Sequence, residues 1–503
     1  MAELGVSEME RMNTFGIGAD AQRGLGAGMT LPLLFLATVV WWIWQRHKAN
    51  LESGLPGTFG LPFIGETLTY VAKMKSPLGN FVDEKTKRYN GAQAFKSSLF
   101  FQPTVIATEV ETVKMIVAKE GRSFVSNYPS SFALLLGRFN GLNMNGENWK
   151  RLRKFVISHI MRVDLLKERM ADIEDLVVRT LDSWADDEGR TIYVEDETKT
   201  IAFNITALIV LNLKPGKVSQ TMQRDYYPLI EGMFSLPINL PWTIYGKATQ
   251  ARVRILKTLE EFLQSRTVKD DVFDNYVQLL QEELPPGSPP ALKHEMGLDL
   301  LTSLLFAGHD TTAATMVFSV KYIGENPKVL AELRREHEEL LKRKQPGERI
   351  SWDDCKTLSF SNSIITETLR MCNISTTVFR KSLEDVHVGD YVIPKGWLVL
   401  PYFRAVHFNP SIYPDPYTFN PFRYQDAAGS KLPFFGFGGG ARLCPGMDLA
   451  RAELCLFLHH LVMKFESWEL LGNDVVSYFP FPRLSARLPI RVKRRTPPQQ
   501  PST

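Results

Sequence analysis

The segment Phe434-Phe-Gly-Phe-Gly-Gly-Gly-Ala-Arg-Leu-Cys-Pro-Gly446 places Cys444 in a glycine-dense loop, two residues after Arg442. Glycines let the backbone approach a bound group closely, and backbone N–H groups can then shield a thiolate that ligates a metal. The arginine supplies a cation for an anionic ligand. The alternative is a glycine-rich turn around a buried structural cysteine. The pattern favours the metal-ligating thiolate, and the helix predicted directly after it would favour negative charge on the sulfur.

The composition is that of a large globular protein. Of 503 residues, 44% are hydrophobic and 23% are charged, and the net charge of +4 is small for this length. Nothing in this balance points to nucleic acid as the main partner. The four cysteines form no C-x-x-C pair, which argues against a zinc site, and they are too few for a disulfide scaffold. We therefore expect a reducing compartment.

Residues 25–44 (LGAGMTLPLLFLATVVWWIW) carry no charge and are long enough for one bilayer span. Arg46, His47 and Lys48 follow directly, so the positive-inside rule places the carboxyl side in the cytoplasm. A cleaved signal peptide is the main alternative, but the preceding flank is long and acidic and no A-x-A site follows. A buried core helix is the other. We expect a short lumenal segment (1–24), a transmembrane anchor (25–44) and a basic, Pro/Gly-rich linker (45–65).

The remainder predicts one large domain over residues 66–494, mainly α with small β-sheets, an α+β composition. The clearest helical periodicity covers 165–184, 251–263, 299–323 and 327–343. Residues 385–401 predict a β-hairpin region, because β-branched runs are broken by Gly389-Asp390 and Gly396. The Pro/Gln/Ser-rich residues 495–503 predict a disordered tail.

Asp310 and Thr311 form an acid–hydroxyl pair within an otherwise apolar predicted helix. One interpretation is a helix distortion in which side chains bond back to carbonyls. The other is oxygen activation, which requires two protons delivered to the distal oxygen of bound O₂. Thr311 would then hold a hydrogen bond and a water, and Asp310 would relay protons from solvent. Gly308 would open space for O₂ beside the helix.

Two further patterns gain meaning from their order in the chain. Glu367 and Arg370 are three residues apart and share a helix face, although an exposed pair of this kind is worth little. Arg423 follows in Phe419-Asn-Pro-Phe-Arg423, and the cysteine loop comes next. Earlier, Trp149-Lys-Arg-Leu-Arg153 is either a solvated helix face or a source of cations for a ligand.

Taken in order, these motifs resemble the cytochrome P-450 family over nearly the whole chain. Phe437-x-x-Gly440-x-Arg442-x-Cys444-x-Gly446 is similar to the family's haem-binding loop, and residues 307–312 are similar to its A-G-x-[DE]-T element. The E-x-x-R motif, the following arginine and the W-x-x-x-R motif stand at the expected places. Finer stretches resemble the plant steroid-oxidising branch of brassinosteroid biosynthesis, but Ala441, Asp310 and Phe422 depart from residues common there. The stretches are 61–67, 380–381, 393–397, 403–407, 419–423 and 488–493.

The resemblance implies a cytochrome P-450 fold with an N-terminal anchor helix, holding haem b. Cys444 would be the proximal thiolate on the haem iron. Arg442, Trp149 and Arg153 would bind the haem propionates, and Phe437, Gly438 and Gly446 would shape the loop around the sulfur. Glu367, Arg370 and Arg423 would form a buried ion-paired cluster with a structural role.

The resemblance further implies a membrane-anchored haem-thiolate monooxygenase that inserts one oxygen atom of O₂ into a sterol-like substrate. NADPH would supply electrons through a separate flavoprotein reductase, and the cytoplasmic catalytic domain would lie at the endoplasmic reticulum membrane, in contact with lipid. Related plant enzymes oxidise triterpenoids and diterpenoids, which is one alternative. A haem-thiolate isomerase or dehydratase is another, and a binding protein that carries haem or sterol without turnover is a third.

We expect substrate contacts to come from loops and from the distal helix. The candidates are mostly apolar, which suits a rigid, water-poor substrate, although several could equally be plain core. They are Phe132, Leu301, Leu305, Ala307, Val378 and Phe479, within or beside the ranges 132–136, 233–236, 301–307, 374–378 and 479–481.

Overall fold

The computed structural model describes residues 39–40, 53–76, 81–185, 189–265 and 290–496. The predicted segment 1–24, nearly all of the predicted anchor, residues 45–52 of the linker and residues 497–503 of the tail lie outside this part of the chain. Within the described residues, no helix combines the length and the apolar character needed to cross a bilayer. Residues from Gly54 onward form one unit.

The chain is mainly helical with small sheets, so the predicted fold class is confirmed. The predicted helix 165–184 is interrupted, since one helix ends at Glu168 and the next begins at Met170. The helices are α1 (Thr67–Lys75), α2 (Phe81–Arg88), α3 (Val110–Ala118), α4 (Ser130–Leu136), α5 (Gly146–Phe155), α6 (Val163–Glu168), α7 (Met170–Ala185), α8 (Val194–Leu211), α9 (Lys217–Gly232), α10 (Ile244–Ser265), α11 (Pro290–Gly324), α12 (Pro327–Leu341), α13 (Trp352–Thr357), α14 (Ser359–Cys372), α15 (Phe403–His407) and α16 (Met447–Lys464).

The strands form one five-stranded sheet, in the order β1-β2-β8-β5-β3, and three smaller sheets, β4-β12-β9, β10-β11 and β6-β7. Only part of the predicted hairpin region is a hairpin. β6 pairs with β7, whereas β8 joins the larger sheet parallel to β2. The strands are β1 (Ala94–Leu99), β2 (Gln102–Ala107), β3 (Phe124–Ser126), β4 (Ile192–Tyr193), β5 (Arg380–Ser382), β6 (Val386–Val388), β7 (Tyr391–Ile393), β8 (Leu398–Pro401), β9 (Phe465–Leu470), β10 (Val476–Ser477), β11 (Arg483–Leu484) and β12 (Pro489–Arg494).

Helix α11 packs along α8, and a glycine sets how closely the two helices approach. A Cβ at Gly308 would lie 2.5 Å from the Thr206 hydroxyl oxygen and 2.7 Å from its methyl group. The missing side chain therefore serves the contact between α11 and α8. The expectation that Gly308 opens space for O₂ is wrong, because Thr206 fills that side of the helix.

The glycine-dense loop folds against the end of α3 before it enters α16. Gly438 and Gly440 have φ values of +73° and +60°, which disfavour residues with a side chain. The N–H of Gly438 donates to the Phe435 carbonyl at 2.8 Å, and a Cβ at Gly440 would lie 2.4 Å from the Val117 carbonyl oxygen. Both glycines are thus required by the turn itself.

Candidate functional site

Cys444 differs from the other cysteines in its environment. Its side chain is partly accessible, whereas Cys355, Cys372 and Cys455 are buried. Its N–H donates to the Phe437 carbonyl at 3.0 Å, and α16 begins three residues later. Desolvation raises the pKa of the Cys444 thiol, while the N–H of Gly446 and the charge of Arg153 lower it. The arrangement suits a thiolate that is stabilised by a metal rather than by solvent.

Trp149 and two arginines lie beside the cysteine loop. The Arg153 Nη2 donates to the Leu443 carbonyl at 2.7 Å. The guanidinium carbon of Arg442 lies 4.4 Å from the centre of the Trp149 ring, and that of Arg153 lies 5.8 Å from it. Burial lowers the pKa of both arginines. The structure therefore brings these three predicted residues together around Cys444.

Arg442 is held from several sides. Its Nε donates to Glu120 Oε1 at 2.5 Å, and its Nη2 donates to the Met144 carbonyl at 2.6 Å and to Asn145 Oδ1 at 2.8 Å. The other Glu120 oxygen lies 2.5 Å from Arg380 Nε, yet neither atom has a hydrogen-bond partner among the residues that the structure describes, so this contact is a charge pair only.

The buried charges in this region do not balance. Arg380 and Arg442 both contact one carboxylate, Glu120, while the nearby Arg153 donates to the Leu443 carbonyl. Among the described residues, Arg380 Nε is a buried donor without a hydrogen-bond partner. A group with two carboxylates, such as haem, fits this surplus of cations. The sequence did not point to Glu120, and it pointed to Arg380 only through the resemblance to the plant steroid-oxidising branch. The reason is that their pairing joins β5 to the residues that follow α3, which are far away in the chain.

The predicted structural triad is assembled as a buried cluster. Arg370 donates to both Glu367 oxygens, and Arg423 Nε donates to Glu367 Oε1 at 3.1 Å. Tyr424 also donates its hydroxyl to Glu367 Oε2 at 3.0 Å. Each lone pair of the carboxylate thus has a partner, which offsets the desolvation of the charge.

Ala307 and Thr311 share the accessible face of α11. They are four residues apart, Ala307 is exposed and Thr311 is half-buried. The Thr311 hydroxyl donates to the Ala307 carbonyl at 2.7 Å. This is the back-bonded geometry of the structural interpretation, but the hydroxyl oxygen still accepts hydrogen bonds on the accessible side.

Asp310 is buried, in contrast to Ala307 and Thr311. Its Oδ1 lies 3.8 Å from Nη2 of Arg483 in β11, and within the described part of the chain the Nε and Nη2 of Arg483 have no hydrogen-bond partner. The neighbouring His309 donates from Nδ1 to the Leu305 carbonyl at 3.0 Å, and burial lowers its pKa. Sequence reasoning identified Asp310 but not Arg483, which is 173 residues away.

An aromatic cluster contains two of the predicted substrate residues, Phe132 and Phe479. Phe234, which follows α9, is its hub, with ring centroids 5.5 Å from both of them and 5.8 Å from Phe379. Phe132 also stacks on Tyr128 at 4.6 Å. The predicted Val378 is half-buried and directly precedes Phe379. Phe132 and Phe379 are buried in this apolar cluster, whereas Phe234 and Phe479 remain partly accessible.

Leu301 and Leu305, two further predicted substrate residues, lie on the buried side of α11. Both are fully buried, and on the helical wheel of α11 they lie on the side of Gly308, which contacts α8, rather than on the side of Ala307 and Thr311. Their contact with substrate stays a prediction.

Comparison with known proteins supports the same interpretation. The family model "Cytochrome P450" matches residues 55–488. A 3beta,22alpha-dihydroxysteroid 3-dehydrogenase of Arabidopsis thaliana is 37% identical over 90% of this chain and 95% of its own length. An abietadienol/abietadienal oxidase of Pinus taeda is 34% identical over 90% of this chain and 95% of its own length.

A solved structure shares the architecture. The cyanobacterial CYP120A1 with bound retinoic acid matches with a TM-score of 0.78 and 26% identity, over 88% of this chain and 99% of that chain. Together with the partly accessible Cys444 in its glycine loop, these similarities show that the chain belongs to the cytochrome P450 family and is a monooxygenase, an oxidoreductase of the haem-thiolate class.

Proposed function

We propose that this monooxygenase hydroxylates a sterol-like substrate of the brassinosteroid type. The observation that carries the proposal is the aromatic cluster around Phe234, which offers flat apolar contacts suited to a rigid polycyclic molecule. The name of the Arabidopsis relative, a steroid dehydrogenase, supports a steroid substrate. The name of the pine relative keeps a diterpenoid as the second candidate.

Haem b fits the residues present. Cys444 would hold the iron, and Arg153, Arg380 and Arg442 would hold the propionates. When bound, a haem with a thiolate ligand supplies the activation of O₂ for insertion of one oxygen atom, with water as the other product. The N–H of Gly446 and the start of α16 stabilise the negative charge on the Cys444 sulfur.

The distal residues would manage protons. The Thr311 hydroxyl, fixed by its bond to Ala307, is placed to hold a water on the accessible face of α11. Asp310 would take protons from the side of Arg483, whose Nη2 lies 3.8 Å from Oδ1, within ion-pair range but too far for a direct hydrogen bond. A haem-thiolate isomerase or dehydratase would have no use for this acid–hydroxyl pair.

Membrane attachment and reductase coupling are part of the same proposal. The uncharged sequence 25–44 supports an anchor in the endoplasmic reticulum membrane, with the catalytic unit in the cytoplasm. Exposed basic residues on α5, Lys150 and Lys154, would favour an acidic partner such as an NADPH-dependent flavoprotein reductase. Arg451 is less suited to docking, since its guanidinium contacts Phe437 and Asn362.

The first experiment is the absorption spectrum of the reduced protein with carbon monoxide. We expect a strongly red-shifted Soret band in the wild type and in Cys372→Ser, a control at a buried cysteine, and no such band in Cys444→Ser. Turnover with added reductase, NADPH and cholesterol or abietadienol then tests the substrate class. A red-shifted Soret band without oxidation of cholesterol would reject the steroid proposal. Absence of haem from the folded protein would reject the haem site at Cys444.

A further inference from the structure

One buried carboxylate, Asp299, connects α11 to α10 and to the chain that follows α4. It lies on α11, and its side chain is 1% exposed. Its Oδ1 accepts from Arg252 Nη2 on α10 at 2.5 Å, and its Oδ2 accepts from the N–H of Phe139 at 3.2 Å. The same arginine donates from Nη1 to the Leu135 carbonyl on α4 at 3.1 Å.

A glycine makes this junction possible. Gly137 ends α4 with a φ of +93°, and a Cβ there would lie 1.9 Å from Asp299 Oδ1. Any side chain would therefore push the carboxylate away from its partners. Burial raises the pKa of Asp299 and Arg252 counters that shift, as expected for a charge kept in the interior by one specific partner.

The chain held by this junction, residues 130–139, is here called the α4 segment. It carries Phe132 into the aromatic cluster, where its ring lies 5.5 Å from that of Phe234. Ser131 adds a hydrogen bond to the Met233 carbonyl at 2.8 Å. Outside the junction, Arg138 and Glu295 form an exposed ion pair between the segment and α11. The position of Phe132 thus depends on where Asp299 and Arg252 hold the segment.

We infer that Asp299 is a positioning residue, which with Arg252 locks the α4 segment over the aromatic cluster and sets how long a bulky apolar substrate is held. The hydrogen bonds of the ion pair go to Leu135 and Phe139 rather than to the aromatic rings, so its influence passes through Phe132. The link to substrate rests on the proposed function. The lock, which is the hold of the Asp299–Arg252 ion pair on the α4 segment, does not rest on the proposed function, because it follows from contacts among α4, α10 and α11.

The test compares Arg252→Gln with Arg254→Gln in the haem-loaded full chain. Arg254 is a matched control, because it lies on the same helix and its hydrogen bond goes to Asp225 of α9, at 2.7 Å, rather than to α4. Amide hydrogen exchange of residues 130–139 should be about tenfold faster in Arg252→Gln and unchanged in Arg254→Gln. Cholesterol should dissociate about tenfold faster only in Arg252→Gln, whereas imidazole, a small iron ligand, should bind both alike.

Gly137→Ala is a second variant, which keeps both charges and displaces the carboxylate. It should reproduce the faster exchange of the α4 segment. Unchanged exchange in both Arg252→Gln and Gly137→Ala would overturn the lock. Faster exchange with unchanged cholesterol dissociation would overturn its effect on substrate. If cholesterol does not bind the wild type at all, the steroid proposal fails while the exchange experiment still decides the lock.

Discussion

Glu367 and Arg370 form a bidentate ion pair that is completely buried. The Arg370 Nε lies 2.7 Å from Glu367 Oε2, its Nη2 lies 2.9 Å from Oε1, and both side chains are 0% exposed. Arg370 Nη1 also donates to the carbonyls of His407 and Pro416 at 2.8 Å each. The pair therefore connects α14 to the chain that leads toward the cysteine loop.

Replacement of Glu367 by Gln keeps the shape but leaves Arg370 and Arg423 without their counter-charge. We expect the free energy of unfolding to fall by about 3–5 kcal/mol, because an unpaired buried charge is costly. Urea unfolding followed by circular dichroism measures this. Glu332→Gln is the control, since Glu332 makes the same i,i+3 bidentate pair with Arg335 on the surface. Equal losses in both variants would contradict the role of burial.

Replacement of Thr311 by Ala should separate electron use from product formation. With the hydroxyl gone, no side chain at this position holds a water on the accessible face of α11, so product formation should fall about 100-fold while NADPH oxidation continues. The ratio of hydrogen peroxide to product measures the effect. Thr315→Ala serves for comparison, because Thr315 is equally back-bonded, to the Thr311 carbonyl, but is buried. Unchanged coupling in Thr311→Ala would remove it from the proton path.

His407 should make the fold sensitive to acid. Burial first, and then the charges of Arg370 and Arg404, lower the pKa of His407 to about 3. Its Nε2 accepts from the Phe435 N–H at 3.0 Å, so Nδ1–H donates to Asn373 Oδ1. Between pH 6.5 and 3 the unfolded chain binds a proton that the folded chain does not. The free energy of unfolding therefore decreases by about 1.4 kcal/mol for each unit by which the pH is lowered.

The variant His407→Gln should lose this part of the pH dependence. Near pH 7 it should be less stable by about 1–3 kcal/mol, because the Phe435 N–H and Asn373 lose their partner. Between pH 6.5 and 5 its stability should fall less steeply than that of the wild type. Urea unfolding across this range is the measurement, with the exposed His387→Gln for comparison. A slope equal to the wild-type slope would show that His407 takes up its proton without disrupting the fold.

Phe234 should matter more for sterol binding than its position in a loop suggests. Truncation by Phe234→Ala removes ring contacts to several partners at once and should weaken cholesterol binding about tenfold or more. Optical titration of the haem-loaded protein measures the dissociation constant. Phe422→Ala, at an exposed aromatic residue, is the control. Equal affinity in both variants would place the sterol elsewhere.

Several features follow from local spacing and could be predicted. The interval of three residues puts Glu367 and Arg370 on one helix face, and the glycines beside Cys444 predict a tight loop before a helix. The mainly helical fold class is likewise visible in the periodicity. Periodicity does not tell which side of α11 Leu301 and Leu305 cover, because an apolar helix of this kind is buried on more than one side and both sides look alike in sequence.

The sequence by itself determined the chemistry that the chain can offer: a thiol two residues after an arginine, an acid beside a hydroxyl, and a helical frame to carry them. Only the tertiary structure decided which distant groups meet. Glu120 lies between Arg380 and Arg442, and Asp299 pairs with Arg252 against Gly137. These contacts join elements far apart in the chain, so they depend on how helices and strands pack, which residue spacing does not encode.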